Sequence, residues 1–139
     1  MSEQSTTPVR TVNDFDITKA ENAISEVIRG MGVSAHVWNN RPKATADDID
    51  DFVVVSISGG ITDKAAFGQT RLAIYLFARD IKEMKNSKRL SVMQEALSTL
   101  PLWIDKYLID GHPRIVGDTA DDFGFHARII TFRLFIKAV

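Results

Sequence analysis

Apolar residues near the N-terminus recur at the spacing of an amphipathic helix. In the stretch DITKAENAISEVIRGMG, residues 16–32, one apolar stripe is formed by Ala20, Ile24, Val27, Ile28 and Met31. Thr18 and Glu21 match a capping box, in which two side chains satisfy backbone N–H groups at a helix start. Gly30 and Gly32 supply the left-handed conformation that commonly ends a helix. The pattern predicts a helix over residues 17–30.

Alternation of apolar and polar positions predicts the strands that follow this helix. The run FVVVSIS predicts a strand at residues 52–58, and QTRLAIYLFAR predicts another at 69–79. A short candidate strand, VSAHVW, occupies residues 33–38. The polar stretch 39–51 contains a proline and several aspartates, which is typical of a loop. The link at 59–68 is long for a hairpin turn, so we expect the loop or the strand ends to project as an arm.

The second half of the chain repeats the change from helix to strand. A second helix is predicted over residues 87–100, where Ser87 is a plausible cap and Pro101 follows the last turn. The stretch LWIDKYLIDG fits either a short helix or a turn into a strand. A final hairpin is predicted from an edge strand at 112–118 and a strong closing strand at 126–138.

This element order predicts the fold class. The order α-β-β-β-α-β-β is typical of an α+β protein, with a mostly antiparallel sheet flanked by two helices. We expect a single domain over residues 14–139, preceded by a flexible polar tail at 1–13.

The strand at 69–79 carries apolar side chains on both of its faces. Leu72, Ile74 and Leu76 share one face, and the other face also carries apolar side chains next to arginines. We expect the second face to be covered by a helix or by another subunit. Trp38, Trp103 and Phe135 fit the core, with an interface as the alternative; Trp38 adjoins the polar loop. The candidate interface residues are Trp38, Arg71, Tyr75, Phe77 and Phe135.

Composition excludes several classes of function. The 139-residue chain has a net charge of −1, which argues against general nucleic-acid binding, and its lack of cysteine excludes disulfides and cysteine-ligated metals. The N-terminus lacks the apolar core of a signal peptide, and the apolar runs are too short to span a bilayer. We expect the protein in the cytosol or in a particle assembled there.

The candidate chemical motifs are weak. His36, His112 and His126 fit ordinary strand positions better than metal ligands. The link SGGITDKAAFG lacks the Gly-Lys-Ser/Thr ending and the following helix of a phosphate-binding loop. The mixed-charge segment 77–89 fits a solvated connection better than a phosphate contact. We therefore expect no catalytic site, no metal and no cofactor.

The acidic stretch ADDIDDF has two open interpretations. It lacks the glycine and the distal glutamate of a calcium loop, so a solvated loop is favoured over a cation site. As a hypothesis, the loop lines a lumen and repels phosphate. The residues of this candidate lumen loop are Asp47, Asp48, Asp50 and Asp51.

Taken together, residues 19–138 resemble the phage tail-terminator and tail-completion family, small proteins that cap the tail tube or join it to the head. The likeness rests on RGMGVSAHVW after the first helix, on NNRPKA before DFVVVSISGG, on TRLAIYLFARD, and on the closing stretch DDFGFHARIITFRLFI. The chain departs from the family pattern at LPLWIDKYLIDGHP, which puts the pairing of that segment in doubt.

The resemblance implies a structural phage or prophage protein without catalytic residues. It implies a ring, commonly of six subunits, whose channel lies in the path of the packaged DNA, with tail-tube or connector proteins as partners and with DNA passage but no specific DNA binding. The resemblance also implies that the protein is located in the virion. The alternative is a small dimeric α+β module that binds a ligand or a protein. The loops 39–51 and 59–68 separate these interpretations: a ring protein uses them as arms, and a binding module folds them over a cavity.

Overall fold

The computed structural model describes residues 16–37, 50–64, 67–110, 112–120 and 124–137. The predicted tail at 1–13 and most of the polar loop at 39–51 lie outside the described residues. The same holds for Trp38, Asp47 and Asp48. No helix in the described ranges is long and apolar enough to span a bilayer.

Two helices are present at the predicted places. Helix α1 spans Ile17–Gly30, which confirms its predicted bounds, and α2 spans Ser87–Leu97, three residues shorter than predicted. The capping prediction is wrong at both helices. The carboxylate of Asp16 caps α1 by accepting the Lys19 N–H at 3.1 Å, and the side chain of Asn86 caps α2.

Within the described residues, seven strands form one sheet, two more than the sequence predicts. The additional strands, β4 and β5, make a small hairpin within the ambiguous segment after α2. The bounds of the strands are β1 Ala35–Val37, β2 Asp51–Lys64, β3 Phe67–Arg79, β4 Trp103–Ile104, β5 Tyr107–Ile109, β6 Arg114–Ala120 and β7 Phe125–Lys137.

The strand β7 lies near the middle of the sheet. The spatial order is β1-β2-β3-β7-β5-β4, and β6 also pairs with β7. One edge of β7 pairs with β3 over its full length, from Phe125 opposite Arg79 to Lys137 opposite Phe67. Its other edge pairs with β6 near the N-terminal end and with β5 near the C-terminal end.

The predicted fold class, a mostly antiparallel sheet flanked by two helices, is wrong. The sheet is mixed and curls into a half-barrel. Strand β1 runs parallel to β2, whereas a meander would make this pair antiparallel. Parallel neighbours need a crossover connection of a dozen or more residues, and thirteen residues separate β1 from β2 in the sequence.

The two helices also fail to flank the sheet. Buried residues of α1 and of α2 belong to one core cluster, so both helices pack on one face, the helix face. Its members from the two helices are Ala20, Ile24, Ile28, Leu90, Met93 and Leu97. Those from the three long strands are Val53, Val55, Ile57, Leu72, Ile74, Leu76, Ala78, Ile130, Phe132 and Leu134.

Of the two alternatives for the link at 59–68, a loop is wrong, and the strand ends extend into the link instead. Strand β2 continues to Lys64 and β3 begins at Phe67, with a register shift between Ser58 and Thr62. Gly59 and Gly60 fall within this irregularity. Glycine in a strand is typical of a bulge, where the chain bends without ending. The segment is therefore a long hairpin.

A carboxylate ties α1 to the sheet. The backbone N–H of Ile57 in β2 donates to Glu21 Oε2 at 2.8 Å. Burial raises the pKa of Glu21 above its ordinary value, although the hydrogen bond from Ile57 opposes this shift. The residue that the sequence assigned to a capping box thus joins two layers of the fold.

One buried polar group in α1 lacks a partner. Ser25 is fully buried, and its hydroxyl makes no hydrogen bond with the described residues. A buried hydroxyl without a hydrogen bond opposes folding because it loses its contacts with water.

We predict that Ser25→Ala raises the free energy of unfolding by about 1 kcal/mol, because it removes an unsatisfied hydroxyl and improves helix propensity. Urea denaturation followed by circular dichroism measures the change. Ser98→Ala is the matched control, since the Ser98 hydroxyl donates to the Glu95 carbonyl at 2.6 Å. A loss of stability in Ser25→Ala would mean that the hydroxyl has a partner in the folded protein.

Candidate assembly surface

The face of the sheet opposite the helices, here called the second face, carries an aromatic cluster. The rings of Phe52 and Phe77 are stacked with centroids 4.7 Å apart, and Phe125 meets Phe52 edge-on at 5.7 Å. Tyr75 lies 6.3 Å from Phe77, and the guanidinium of Arg79 lies 4.5 Å from the centre of the Phe125 ring. Three strands are therefore joined by rings on this face.

Two predicted interface residues belong to this cluster. Tyr75 and Phe77 are half-buried, while Phe52 and Phe125 are buried. Tyr75 and Phe77 therefore have a structural role on the second face, and part of each side chain remains accessible to solvent.

Phe77→Ala should lower the free energy of unfolding by about 2 kcal/mol, because removal of the ring leaves a gap and Phe52 loses its stacking partner. Thermal or urea unfolding measures this loss. Phe77→Leu keeps most of the apolar volume and is expected to cost less. Equal stability of the alanine variant and the parent protein would show that Phe77 does not support the fold.

Arg71 and Phe135, the other predicted interface residues that the structure describes, lie towards the opposite end of the second face. Arg71 is exposed and stands directly opposite Arg133 in the pairing of β3 with β7. The guanidinium of Arg133 pairs with Asp110 at 2.6 Å and lies 5.8 Å from the centre of the half-buried Phe135 ring. The pKa of Asp110 is lowered by the backbone N–H of His112 and by Arg133.

The two described aspartates of the candidate lumen loop differ in their surroundings. The side chain of Asp50 is 86% exposed and lies 3.5 Å from Arg79. Asp51 is an ion-pair partner of Arg89 in α2, with both side chains only partly exposed. Asp51 therefore connects the sheet to a helix. The carboxylate of Asp50, in contrast, is mostly exposed to solvent.

A network of ion pairs links β6, β7, α2 and the chain before α2. Arg128 of β7 donates to Asp118 of β6 at 2.8 Å, and to Gln94 of α2 at 2.9 Å. Lys85 donates to the same Asp118 at 2.9 Å. The hydrogen bonds from Arg128 and Lys85 lower the pKa of Asp118 to about 2.

We expect the stabilising effect of Asp118 to depend on pH. Since its pKa is lowered from 3.8 to about 2, the effect is complete above about pH 5 and is lost as the pH falls from there towards 2. The stability difference between the parent protein and Asp118→Asn should therefore shrink between pH 5 and pH 3, as measured by urea denaturation.

The matched control for this experiment is Asp50→Asn, which neutralises a mostly exposed carboxylate. Exposed ion pairs contribute little, so its stability should stay close to that of the parent protein. A stability difference for Asp118→Asn that is constant from pH 5 to pH 3 would contradict the assignment.

A tight turn between β3 and α2, here called the knuckle, spans residues 81–84. Ile81 and Met84 exchange both of their backbone hydrogen bonds at 2.9 Å. Lys82 and Glu83 have φ values of 53° and 64°, as in a type I′ turn, although neither residue is Gly or Asn. Ile81 is 57% exposed and Met84 is 70% exposed.

Large apolar side chains are also exposed at the far edge of the sheet. Leu102, Trp103, Ile115 and Val116, here called the edge patch, are each more than half exposed. Every residue of β6 is exposed, and the strand has a register shift between Ile115 and Gly117, where Gly117 has a φ of 131°. A bulge at this point fits glycine, which adopts positive φ without strain.

A groove of about 600 Å³ adjoins the edge patch, between α2 and the strands β5 to β7. Its apolar lining includes Leu97, Leu100 and Phe132, and Leu102 and Ile115 of the edge patch form part of its wall. Gln94, Glu95 and Asp110 add polar groups. The lining of the groove is mostly apolar, as expected of a binding site.

Sequence reasoning missed the edge patch and the knuckle. The expectation that Trp103 fits the core is wrong, since its side chain is 52% exposed. The signal for Ile115 and Val116 was present as two consecutive apolar residues in a predicted edge strand. Lys82 and Glu83 are not typical turn residues, so the sequence pattern did not predict the knuckle.

The three histidines are not brought together. His36 lies 3.0 Å from the Ser34 hydroxyl, and His126 Nδ1 lies 2.6 Å from Asp80 Oδ1. Among the residues that the structure describes, no group of three potential metal-ligating side chains is found.

No family model matches this sequence, and no curated protein is significantly similar to it. The resemblance to tail-terminator proteins stays a prediction. Arguments about function therefore rest on the surfaces described above.

Proposed function

We propose that the protein is a structural component of a phage or prophage tail, which self-assembles into a ring at the tail end or at the head–tail joint. The observation that carries this proposal is the edge patch. Four large apolar side chains are exposed beside an apolar groove at one side of the sheet. Two of them, Leu102 and Ile115, line the groove, and exposed apolar surface of this kind is typical of sites that contact other proteins.

The charge distribution supports assembly rather than DNA binding. The chain is close to neutral, with a net charge of −1. Arg79, Arg89, Arg128 and Arg133 each pair with a carboxylate of the same chain. A protein that grips DNA presents unpaired cations to phosphate, whereas these side chains hold the fold together. Partners of the ring are then tail-tube or connector proteins, and DNA passes without specific contacts.

If the protein forms this ring, it should self-associate, and the self-association should depend on the edge patch. Light scattering over a concentration series should show oligomers of the parent protein, and Val116→Lys should reduce them, because a charge is costly in an apolar interface. Val116 is 64% exposed, so the fold should tolerate lysine. Circular dichroism confirms that the variant is folded.

The control is Val92→Lys, which alters an exposed valine of α2 outside the edge patch. This variant should assemble like the parent protein. A parent protein that stays monomeric at every concentration would overturn the ring, and normal assembly of Val116→Lys would exclude the edge patch as the interface.

The groove favours a second candidate function, a small binding module. Its volume of about 600 Å³ falls within the range of ligand sites, and Gln94, Glu95 and Asp110 supply polar groups. The exposed Leu102 and Ile115 in its wall fit a protein surface better than an enclosed ligand. Saturable binding of a small molecule by a protein that forms a dimer but no ring would favour this alternative.

A further inference from the structure

The knuckle and the groove carry complementary surfaces on one chain. The knuckle is a rigid projection with two apolar side chains, and the groove is an apolar depression of about 600 Å³. This inference rests on the proposed function, since it names the contact by which copies assemble.

The knuckle is held in an unfavourable backbone conformation. Positive φ at a non-glycine residue costs about 1–2 kcal/mol, and Lys82 and Glu83 adopt it in succession. Such strain persists only where the surrounding structure enforces it, and it concentrates at functional sites. The type I′ turn requires positive φ at both of its central positions, which are usually occupied by Asn or Gly, whereas this turn has Lys82 and Glu83 there.

Both ends of the knuckle are anchored. On one side, the backbone N–H of Asp80 donates to the Gly124 carbonyl at 2.7 Å, and the Asp80 carboxylate lies 2.6 Å from His126. On the other side, Lys85 donates to Asp118 at 2.9 Å. The turn is therefore fixed to β6 and β7, and it presents Ile81 and Met84 to solvent as a preformed projection.

The knuckle is kept apart from the groove of its own chain. Asp118 binds Lys85 next to the knuckle, and it also binds Arg128, whose guanidinium reaches Gln94 in the groove wall. Neither Ile81 nor Met84 is among the residues that line the groove, and both side chains are exposed. The knuckle therefore does not occupy the groove of its own chain.

Charge complementarity points to a second copy as the occupant. Lys82 on the knuckle and Glu95 in the groove wall have opposite charges, and neither side chain has an ion-pair partner among the described residues. Glu83 on the knuckle and Arg114, which precedes Ile115 of the groove wall, form a second pair of opposite signs. The apolar residues of both surfaces are flanked by these charges, as in interfaces with an apolar core and a polar rim.

We propose that the knuckle of one copy inserts into the groove of the next, with Ile81 and Met84 against the apolar lining and Lys82 facing Glu95. The contact joins two different surfaces, so it repeats from copy to copy in the same direction. Such head-to-tail contacts close into a ring when the rotation between neighbours permits, and otherwise they extend into a filament.

Site-directed cross-linking tests this contact, because the chain contains no cysteine. Met84→Cys and Leu102→Cys place single thiols on the knuckle and in the groove wall, at positions that are more than half exposed. After mixing and oxidation, disulfide-linked dimers of the two variants should exceed the homodimers of either one. The double variant should form a ladder of covalent oligomers.

The control replaces Leu102→Cys with Val92→Cys, which places a thiol on an exposed residue of α2. A yield of mixed dimers no higher than this control would overturn the proposal. A charge swap provides a second readout: Lys82→Glu should reduce the yield, and combining it with Glu95→Lys in the other copy should restore it. Failure to restore the yield would contradict the pairing of Lys82 with Glu95.

The two proposals can fail separately. If light scattering shows oligomers but the knuckle and groove thiols do not link, the ring stands and its contact lies elsewhere. If the parent protein does not self-associate at all, both the ring and the head-to-tail contact are wrong.

Discussion

The fold depends on one long-range interaction, the pairing of β3 with β7. Every residue of β3, from Phe67 to Arg79, has a partner in β7. Strands β5 and β6 attach to the sheet through the other edge of β7, so they depend on the same strand. On the helix face, this pair of strands supplies Leu72, Ile74 and Leu134 to the core. On the second face, Phe77 of β3 and Phe125 of β7 both contact Phe52 of β2. Register errors in this single pairing would therefore disturb both faces at once.

The sequence predicts those elements whose apolar pattern is long and regular. Helix α1 follows from the stripe formed by Ala20, Ile24 and Ile28, and the strands β3 and β7 follow from their alternation. The hairpin of β4 and β5 does not follow, because its strands have two and three residues. The direction of β1 also could not be predicted, since the side chains of a three-residue strand do not determine whether it pairs parallel or antiparallel.

The candidate site shows the same limit. Tyr75 and Phe77 were found because apolar residues on both faces of a strand require cover. Exposure of Ile115 and Val116 depends on whether another strand lies beyond β6, which is a property of the whole sheet. The knuckle depends on hydrogen bonds made by residues far away in sequence, such as Asp80 with His126. Patterns within a short window do not contain these relations.

The central position of β7 has a consequence for biosynthesis. Ribosomes produce this strand after all the other described strands, so the edge of β3 stays open until residues 125–137 emerge. A nascent hairpin of β2 and β3 then exposes the apolar rows of both faces, and such an edge favours aggregation. Strong dependence on non-local contacts also slows folding. Chaperone binding during translation would shield this intermediate until β7 completes the sheet.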